Sequence, residues 1–215
     1  MIRHRPSLWP VTCVGVALLT ATPAGSAPNF RTSDITGRGY GDAFPTLVDQ
    51  DGHPRTRDDF KGHVSIVDFG FTHCPDLCPT TLSNLAQVLD KLGAERERVQ
   101  IDFITVDPER DTPGVLREYL SGFGPNFVGL TGTPASIRKA AQTFRVFFQK
   151  MPLPGGDYTM DHSALMYILD PQGRVRLMSL DNRPAADIAH DILQLLKDSG
   201  GSTQLSGNIA SGKTD

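Results

Sequence analysis

Cysteine is scarce in this chain: three in 215 residues, Cys13, Cys74 and Cys78. Small disulfide-stapled scaffolds need several bridges, so that class is excluded. Positive charge is also in short supply. The formal net charge is −3, whereas nucleic-acid binding needs a basic surface to displace condensed counterions. Long apolar runs are missing too. The longest, from Leu8 to Ala21, is interrupted by Pro10 and falls short of the ~20 residues of a spanning helix. Internal repeats are absent. What remains, with 39% hydrophobic residues, suits one globular domain with short appendages.

The ends are distinct from the middle. Arg3, His4 and Arg5 precede the apolar stretch, and Ala24-Gly25-Ser26-Ala27 follows it, the three-part layout of a secretory signal. Residues 1–27 therefore read as an export signal cleaved after Ala27, the alternative being an N-terminal membrane anchor built on residues 8–24. Cleavage would remove Arg3 and Arg5 and take the charge from −3 to −3 − 2 = −5. Cys13 would leave as well. The exported chain would hold only Cys74 and Cys78, in a periplasmic or equivalent oxidising compartment where thiols must be protected or recycled. Residues 28–41 read as a polar linker and 42–198 as the domain. Residues 199–215 are rich in Gly and Ser and read as a disordered tail, unable to bury enough surface to offset its ordering entropy. No long exposed apolar helix is evident, so a monomer is expected.

Within the domain, Phe44–Val48 and His53–Thr56 flank Asp49-Gln50-Asp51-Gly52 as a short hairpin. Strands are expected at Val64–Phe69, Val99–Val106 and Phe127–Leu130. Leu165–Leu169 and Val175–Leu180 flank Asp170-Pro171-Gln172-Gly173, a second hairpin. Helices are expected from Pro79 to Leu92, from Thr112-Pro113, from Thr133-Pro134 with Ile137, Ala140, Ala141, Phe144 and Phe147 inward, and over Ala185–Leu196. This alternation implies a mixed α/β sheet covered on both faces, with functional groups beyond the carboxyl ends of its parallel strands. The cysteine loop and the Asp107-Pro108-Glu109-Arg110-Asp111 loop should therefore open on one edge.

Asp68-Phe69-Gly70-Phe71-Thr72-His73-Cys74-Pro75-Asp76-Leu77-Cys78-Pro79 carries a buried strand into that first loop. Cys78 is expected at or beside a helix N-cap, where helix N–H dipoles would lower its thiol pKa. Three intervening residues permit a disulfide if the β-carbons approach to ~3.5–4.5 Å, and they leave room for an ion. A passive bridge, a redox couple and a soft-metal site all stay open on these residues alone. An imidazole would point to metal, since two thiolates and one imidazole suit copper. His4 belongs to the export segment, His53 and His63 sit in or near turns, and His190 is on the last helix. His73 adjoins Cys74 but can aim elsewhere. His162, in Tyr158-Thr159-Met160-Asp161-His162-Ser163 directly before a strand, is the stronger candidate. Met160 and Met166 are not expected to ligate. Asp107, Glu109, Arg110 and Asp111 could suggest paired-carboxylate catalysis; a charged turn tied by Arg110 and capping the next helix at Asp111 or Thr112 is the better reading.

Four segments taken together are more specific. Gly70-Phe71-Thr72-His73-Cys74-Pro75-Asp76-Leu77-Cys78-Pro79, Thr105-Val106-Asp107-Pro108-Glu109-Arg110-Asp111-Thr112-Pro113, Gly129-Leu130-Thr131-Gly132 and Asp161-His162-Ser163 resemble, in order, the signatures of the Sco family. These are thioredoxin-like copper chaperones involved in building the Cu-A centre of cytochrome c oxidase. The likeness runs from about Asp42 to Lys197. It implies a thioredoxin-like mixed sheet flanked by helices, with an N-terminal β-hairpin and a closing antiparallel hairpin. It also implies one copper ion per chain, Cu(I) or Cu(II), held by Cys74, Cys78 and His162. The implied partners are the Cu-A subunit as acceptor and an upstream copper donor. An enzyme stays open as the alternative: a thiol–disulfide oxidoreductase with Cys74 and Cys78 as its redox pair. A peroxiredoxin-like peroxidase is disfavoured, because the Pro that such sites place upstream of the reactive Cys is missing before Cys74.

Overall fold

The computed structural model describes residues 28–207. Residues 1–27, read above as an export signal or anchor and containing Cys13, and residues 208–215 lie outside them. The strands are β1 (Ser33–Asp34), β2 (Leu47–Asp49), β3 (Pro54–Arg55), β4 (Val64–Gly70), β5 (Val99–Thr105), β6 (Phe127–Thr131), β7 (Phe148–Pro152), β8 (Tyr158–His162), β9 (Leu165–Leu169) and β10 (Val175–Leu180). The helices are α1 (Leu77–Leu92), α2 (Pro113–Ser121), α3 (Pro134–Phe144) and α4 (Ala185–Gly207).

Eight strands form one mixed sheet in the order β1-β10-β9-β4-β5-β6-β2-β3. β4, β5 and β6 are parallel, and β9 runs antiparallel against β4. Every residue of β4 is buried, as a central strand covered on both faces requires. Its side chains alternate. Val64 and Ile66 pack with Leu82, Leu85 and Leu89 of α1 and Ile188 and Ile192 of α4. Val67 and Phe69 pack with Ile137, Ala140 and Phe144 of α3. This is a thioredoxin-like mixed sheet, with the expected hairpins β2–β3 and β9–β10 at their places. Thr112 and Thr133 cap α2 and α3, accepting from the N–H groups of Val115 and Ser136, with Pro next in each helix. Among the described residues no helix is long and apolar enough to cross a membrane.

Several expectations change. α1 begins at Leu77 rather than Pro79; the first-turn N–H groups have no intrahelical partner in any case, so Pro fits the third position as well as the first. α3 stops at Phe144 because Arg145 turns left-handed (φ 56°). Phe147 therefore falls outside the helix and is 57% exposed. The segment read as a linker is docked. β1 pairs with β10, Ile35 is buried, and the Asp191 carboxylate accepts from the backbone N–H groups of Arg31 and Thr32 at 2.8–3.0 Å. α4 runs on through Gly207, past the point where the tail was expected to begin. Ser199 Oγ donates to the Leu195 carbonyl at 2.8 Å, a bond that the helical conformation itself permits. Last, the stretch before Ser163 is a strand. β7 and β8 form a two-stranded sheet of their own, with Phe148 opposite His162.

Candidate metal centre

The carboxyl ends of β4 and β5 lie side by side, Gly70 opposite Thr105. The cysteine loop leaves from the first and the Asp107–Asp111 turn from the second. Four bonds to one residue, three of them to its carboxylate, stitch this edge together. Asp111, fully buried, accepts from Thr72 N (3.0 Å), Thr72 Oγ1 (2.6 Å) and Thr105 Oγ1 (2.6 Å), while its carbonyl accepts from Thr131 Oγ1 (2.9 Å). A buried carboxylate is tolerable only when so satisfied. The sequence reading gave Asp111 a place in a charged turn capping α2. The cap is Thr112, and Asp111 instead pins the loop two residues before Cys74.

Cys74 and Cys78 are both free thiols, Cys74 partly buried and Cys78 buried at 3% exposure. Cys78 is the second residue of α1, and its N–H donates to Cys74 Sγ at 3.4 Å. The helix terminus was expected to lower the Cys78 pKa. Burial is the larger influence and pushes this thiol well above its ordinary value, outweighing a hydrogen bond with the Phe71 backbone. Burial thus favours the protonated thiol, and a bound metal would displace that proton.

Period-2 alternation along β8 buries Met160, exposes Asp161 and turns His162 inward again. Asp161 thus points away from the imidazole, as expected of adjacent strand residues. His162 Nδ1 lies 3.2 Å from the Ser163 carbonyl, which leaves Nε2 as the free ring nitrogen, 3.8 Å from Cys78 Sγ. The Phe71 ring meets the imidazole edge-on, with centroids 6.0 Å apart. One ion bonded to both atoms, at the ~2.3 Å and ~2.05 Å that zinc makes to such ligands, would hold them about 3.6–3.8 Å apart. The observed separation fits. Cys74 is not yet part of so tight a set. Among the described residues, the group whose ligand atoms all lie within 4.8 Å of one another is Asp49, Asp51 and His53. That cluster is already satisfied: Asp49 accepts from the N–H groups of Asp51 and His53 and pairs with Arg55, and Asp51 pairs with Arg117.

His73 is half exposed and stands beside Thr72 Oγ1 (3.1 Å) and Asp111 (4.0 Å). Met166 lies in the core. The sequence reading missed Tyr158, whose hydroxyl donates to Asp107 Oδ1 at 3.0 Å and whose ring lies 3.8 Å from the Arg110 guanidinium. No local signal marks it, because the contact spans about fifty positions.

A family profile described as SCO1/SenC matches residues 35–197. A "SCO2-like protein" of Rickettsia felis is 38% identical over 154 residues, covering 70% of this chain and 73% of that protein. The match covers 63% of a "SCO2-like protein" of Rickettsia prowazekii, and 57% and 44% of the longer mitochondrial proteins SCO2 homolog of Mus musculus and SCO1 of Saccharomyces cerevisiae. The solved structure of Bradyrhizobium japonicum ScoI with copper bound is 43% identical, covers 70% of this chain and 96% of that one, and superposes with a TM-score of 0.65. BsSco, described as a member of the Sco family of cytochrome c oxidase assembly proteins and as having a disulfide switch, is 28% identical over 77% of this chain and 97% of its own, at a TM-score of 0.61. With the profile spanning three quarters of the sequence, this chain belongs to the SCO1/SenC family.

Proposed function

We propose that this protein carries one copper ion on Cys74, Cys78 and His162 and delivers it to the Cu-A centre of cytochrome c oxidase during assembly. The observation that carries the reading is the 3.8 Å approach of His162 Nε2 to Cys78 Sγ across 84 positions of sequence. Two thiolates and an imidazole form a soft donor set that suits Cu(I), and an added oxygen would suit Cu(II). Copper here is cargo. The site lies at the loop-bearing edge of the sheet, so an acceptor's Cys or Met can attack the ion from the open side and remove it by ligand exchange. An upstream donor would load it by the reverse exchange, in the exported compartment expected from residues 1–27. His162→Ala should weaken Cu(I) binding by more than the ~10–100-fold that loss of an outer-shell partner costs. Anaerobic chelator competition measures this, with the Cys74–Cys78 disulfide still able to form. Unchanged affinity would remove His162 from the site.

A second reading, thiol–disulfide exchange, is favoured by the unequal burial of the two thiols. The thiolate of the more accessible Cys74 would attack a partner disulfide, and Cys78 would then displace the partner's second sulfur. The products are a Cys74–Cys78 disulfide and a reduced partner. His162→Ala separates the two: a reductase keeps supporting oxidase maturation with the variant, a copper carrier does not.

A further inference from the structure

The strands that carry His162 meet the core along one edge only: Met160 joins the cluster of Phe69, Phe71 and Phe144, with Phe148 and Tyr158 packed against it. β7 and β8 pair only with each other, four of the five residues of β7 are exposed, and Met151 and Leu153 near the tip are 41% and 44% exposed. A cavity of about 440 Å³, lined by Ile137 and Ala141 of α3 and by Phe148 and Met160 of the arm, separates the hairpin from its neighbour. An arm packed this loosely would be expected to open locally at small cost. Yet its imidazole Nε2 stands 3.8 Å from Cys78 Sγ.

Beyond that apolar edge, the polar attachment comes from one place. Arg110 Nε donates to Asp107 Oδ2, and Arg110 Nη1 donates to the Tyr158 carbonyl at 3.0 Å and pairs with Asp157 at 3.5 Å. The Tyr158 hydroxyl closes the ring by donating to Asp107 Oδ1 at 3.0 Å. Two cations lie over the Tyr158 ring, Arg110 at 3.8 Å and Lys150 at 3.9 Å, and Lys150 pairs with Glu109 at 2.8 Å. All the groups on the body side, Asp107, Glu109 and Arg110, belong to a single turn. That turn also contains Asp111, which holds Thr72 and hence the cysteine loop.

We infer that the Asp107–Asp111 turn is a two-sided clasp, with Asp111 fixing the sulfur loop while Asp107 and Arg110 latch Tyr158 and so hold the His162 arm within reach of Cys78. The inference rests on the metal-site reading and deepens it. Asp107, Arg110 and Tyr158 are positioning residues that set copper affinity without touching the ion: each closed latch contact raises the effective concentration of the imidazole at the sulfurs, and each lost contact lowers it.

The test is a double-mutant cycle with Cu(I) as the probe, read by anaerobic chelator competition. Arg110→Gln should lower affinity by roughly 10–100-fold, the range of outer-shell substitutions, and the milder Tyr158→Phe by less. In a His162→Ala background neither should lower it further, because the latch acts only through that ring. A loss of equal size in both backgrounds, or none in either, overturns the clasp. Metal-free protein supplies a second readout. Amide hydrogen exchange over residues 158–162 should quicken in Arg110→Gln while β4 and β5 stay protected; unchanged exchange in the arm also overturns it. If His162→Ala leaves copper affinity untouched, the metal reading fails, and hydrogen exchange still decides whether the turn fixes the arm.

Discussion

Gly70 is where one missing atom decides the position of a sulfur. A Cβ built there would lie 2.6 Å from Phe103 Cε2 and 2.9 Å from Cys78 Sγ. Its backbone is ordinary strand, so the need for glycine is steric rather than conformational. Phe103 is fully buried and cannot yield cheaply. Gly70→Ala should therefore push Cys78 off its line to His162, lowering Cu(I) affinity about tenfold and stability by roughly 1–3 kcal/mol, the cost of overpacking. Urea unfolding and chelator competition on the same variant check both. A stable variant with normal copper binding would show that the sulfur has room the distances deny. At this scale the sequence told part of the story. Cys74, Cys78 and His162 were singled out because residues of that chemistry are few and their segments ordered, and the fold brings His162 Nε2 to 3.8 Å from Cys78 Sγ. Tyr158 and Asp111 were not, since a tyrosine beside Gly-Gly-Asp and an aspartate in a charged turn look like surface residues until the partner 51 or 39 positions away is known.

Elements were legible where their causes are local. α2 and α3 follow Thr-Pro pairs that cap and start a helix, and β4 declares itself by an apolar run. The two pieces that escaped notice, β1 and the β7–β8 arm, are short or exposed and are secured by polar contacts from distant chain. For β1 the fastener is Asp191 on α4. Its carboxylate, fully buried, takes both Arg31 and Thr32 N–H groups and the Thr32 hydroxyl, while the Arg31 guanidinium reaches Asp187 at 2.9 Å. Hydrogen bonds to a charged acceptor are worth about 1.5–3 kcal/mol each, but the freed N–H groups of an edge strand would regain water. Asp191→Ala should thus cost about 2–4 kcal/mol of stability and release the segment around residues 28–36 from the sheet. Limited proteolysis under native conditions should then cut this segment first, with the remaining domain intact. A variant no more susceptible than the parent would mean that β1 pairing with β10 and the buried Ile35 hold the segment unaided.

The whole molecule carries a feature that no element explains by itself: two aspartates buried within the sheet, Asp68 pushed up to about 8 and Asp102 to about 7, both chiefly by burial. Asp102 lies far from the sulfurs along β5 and isolates the effect. Gln100 Nε2 donates to its Oδ1 at 2.6 Å, its Oδ2 is buried without a partner, and the Ser65 hydroxyl on β4 favours its charged form. Arg55 on β3 favours its charged form, and Asp59 in the turn that follows opposes it. Burial wins over these, so the folded protein prefers the neutral acid. The sign of the consequence is fixed. The folded state holds a proton that the unfolded chain releases above its ordinary value of ~3.9, so the stabilisation is complete below that pH. It falls as pH rises and is gone above about 7. Three decades at about 1.4 kcal/mol each set a ceiling of about 4 kcal/mol. Asn in the same place presents an acceptor and donors without a charge, so it escapes this loss. The stability of Asp102→Asn minus that of the parent should therefore grow between pH 4 and 7 and level off above. Asp68, present in both proteins, cancels from the difference. Urea unfolding of metal-free protein across that range gives the curve. A difference independent of pH would mean that the carboxylate is charged in the fold throughout, with Arg55 or buried water satisfying the oxygen left open at Oδ2.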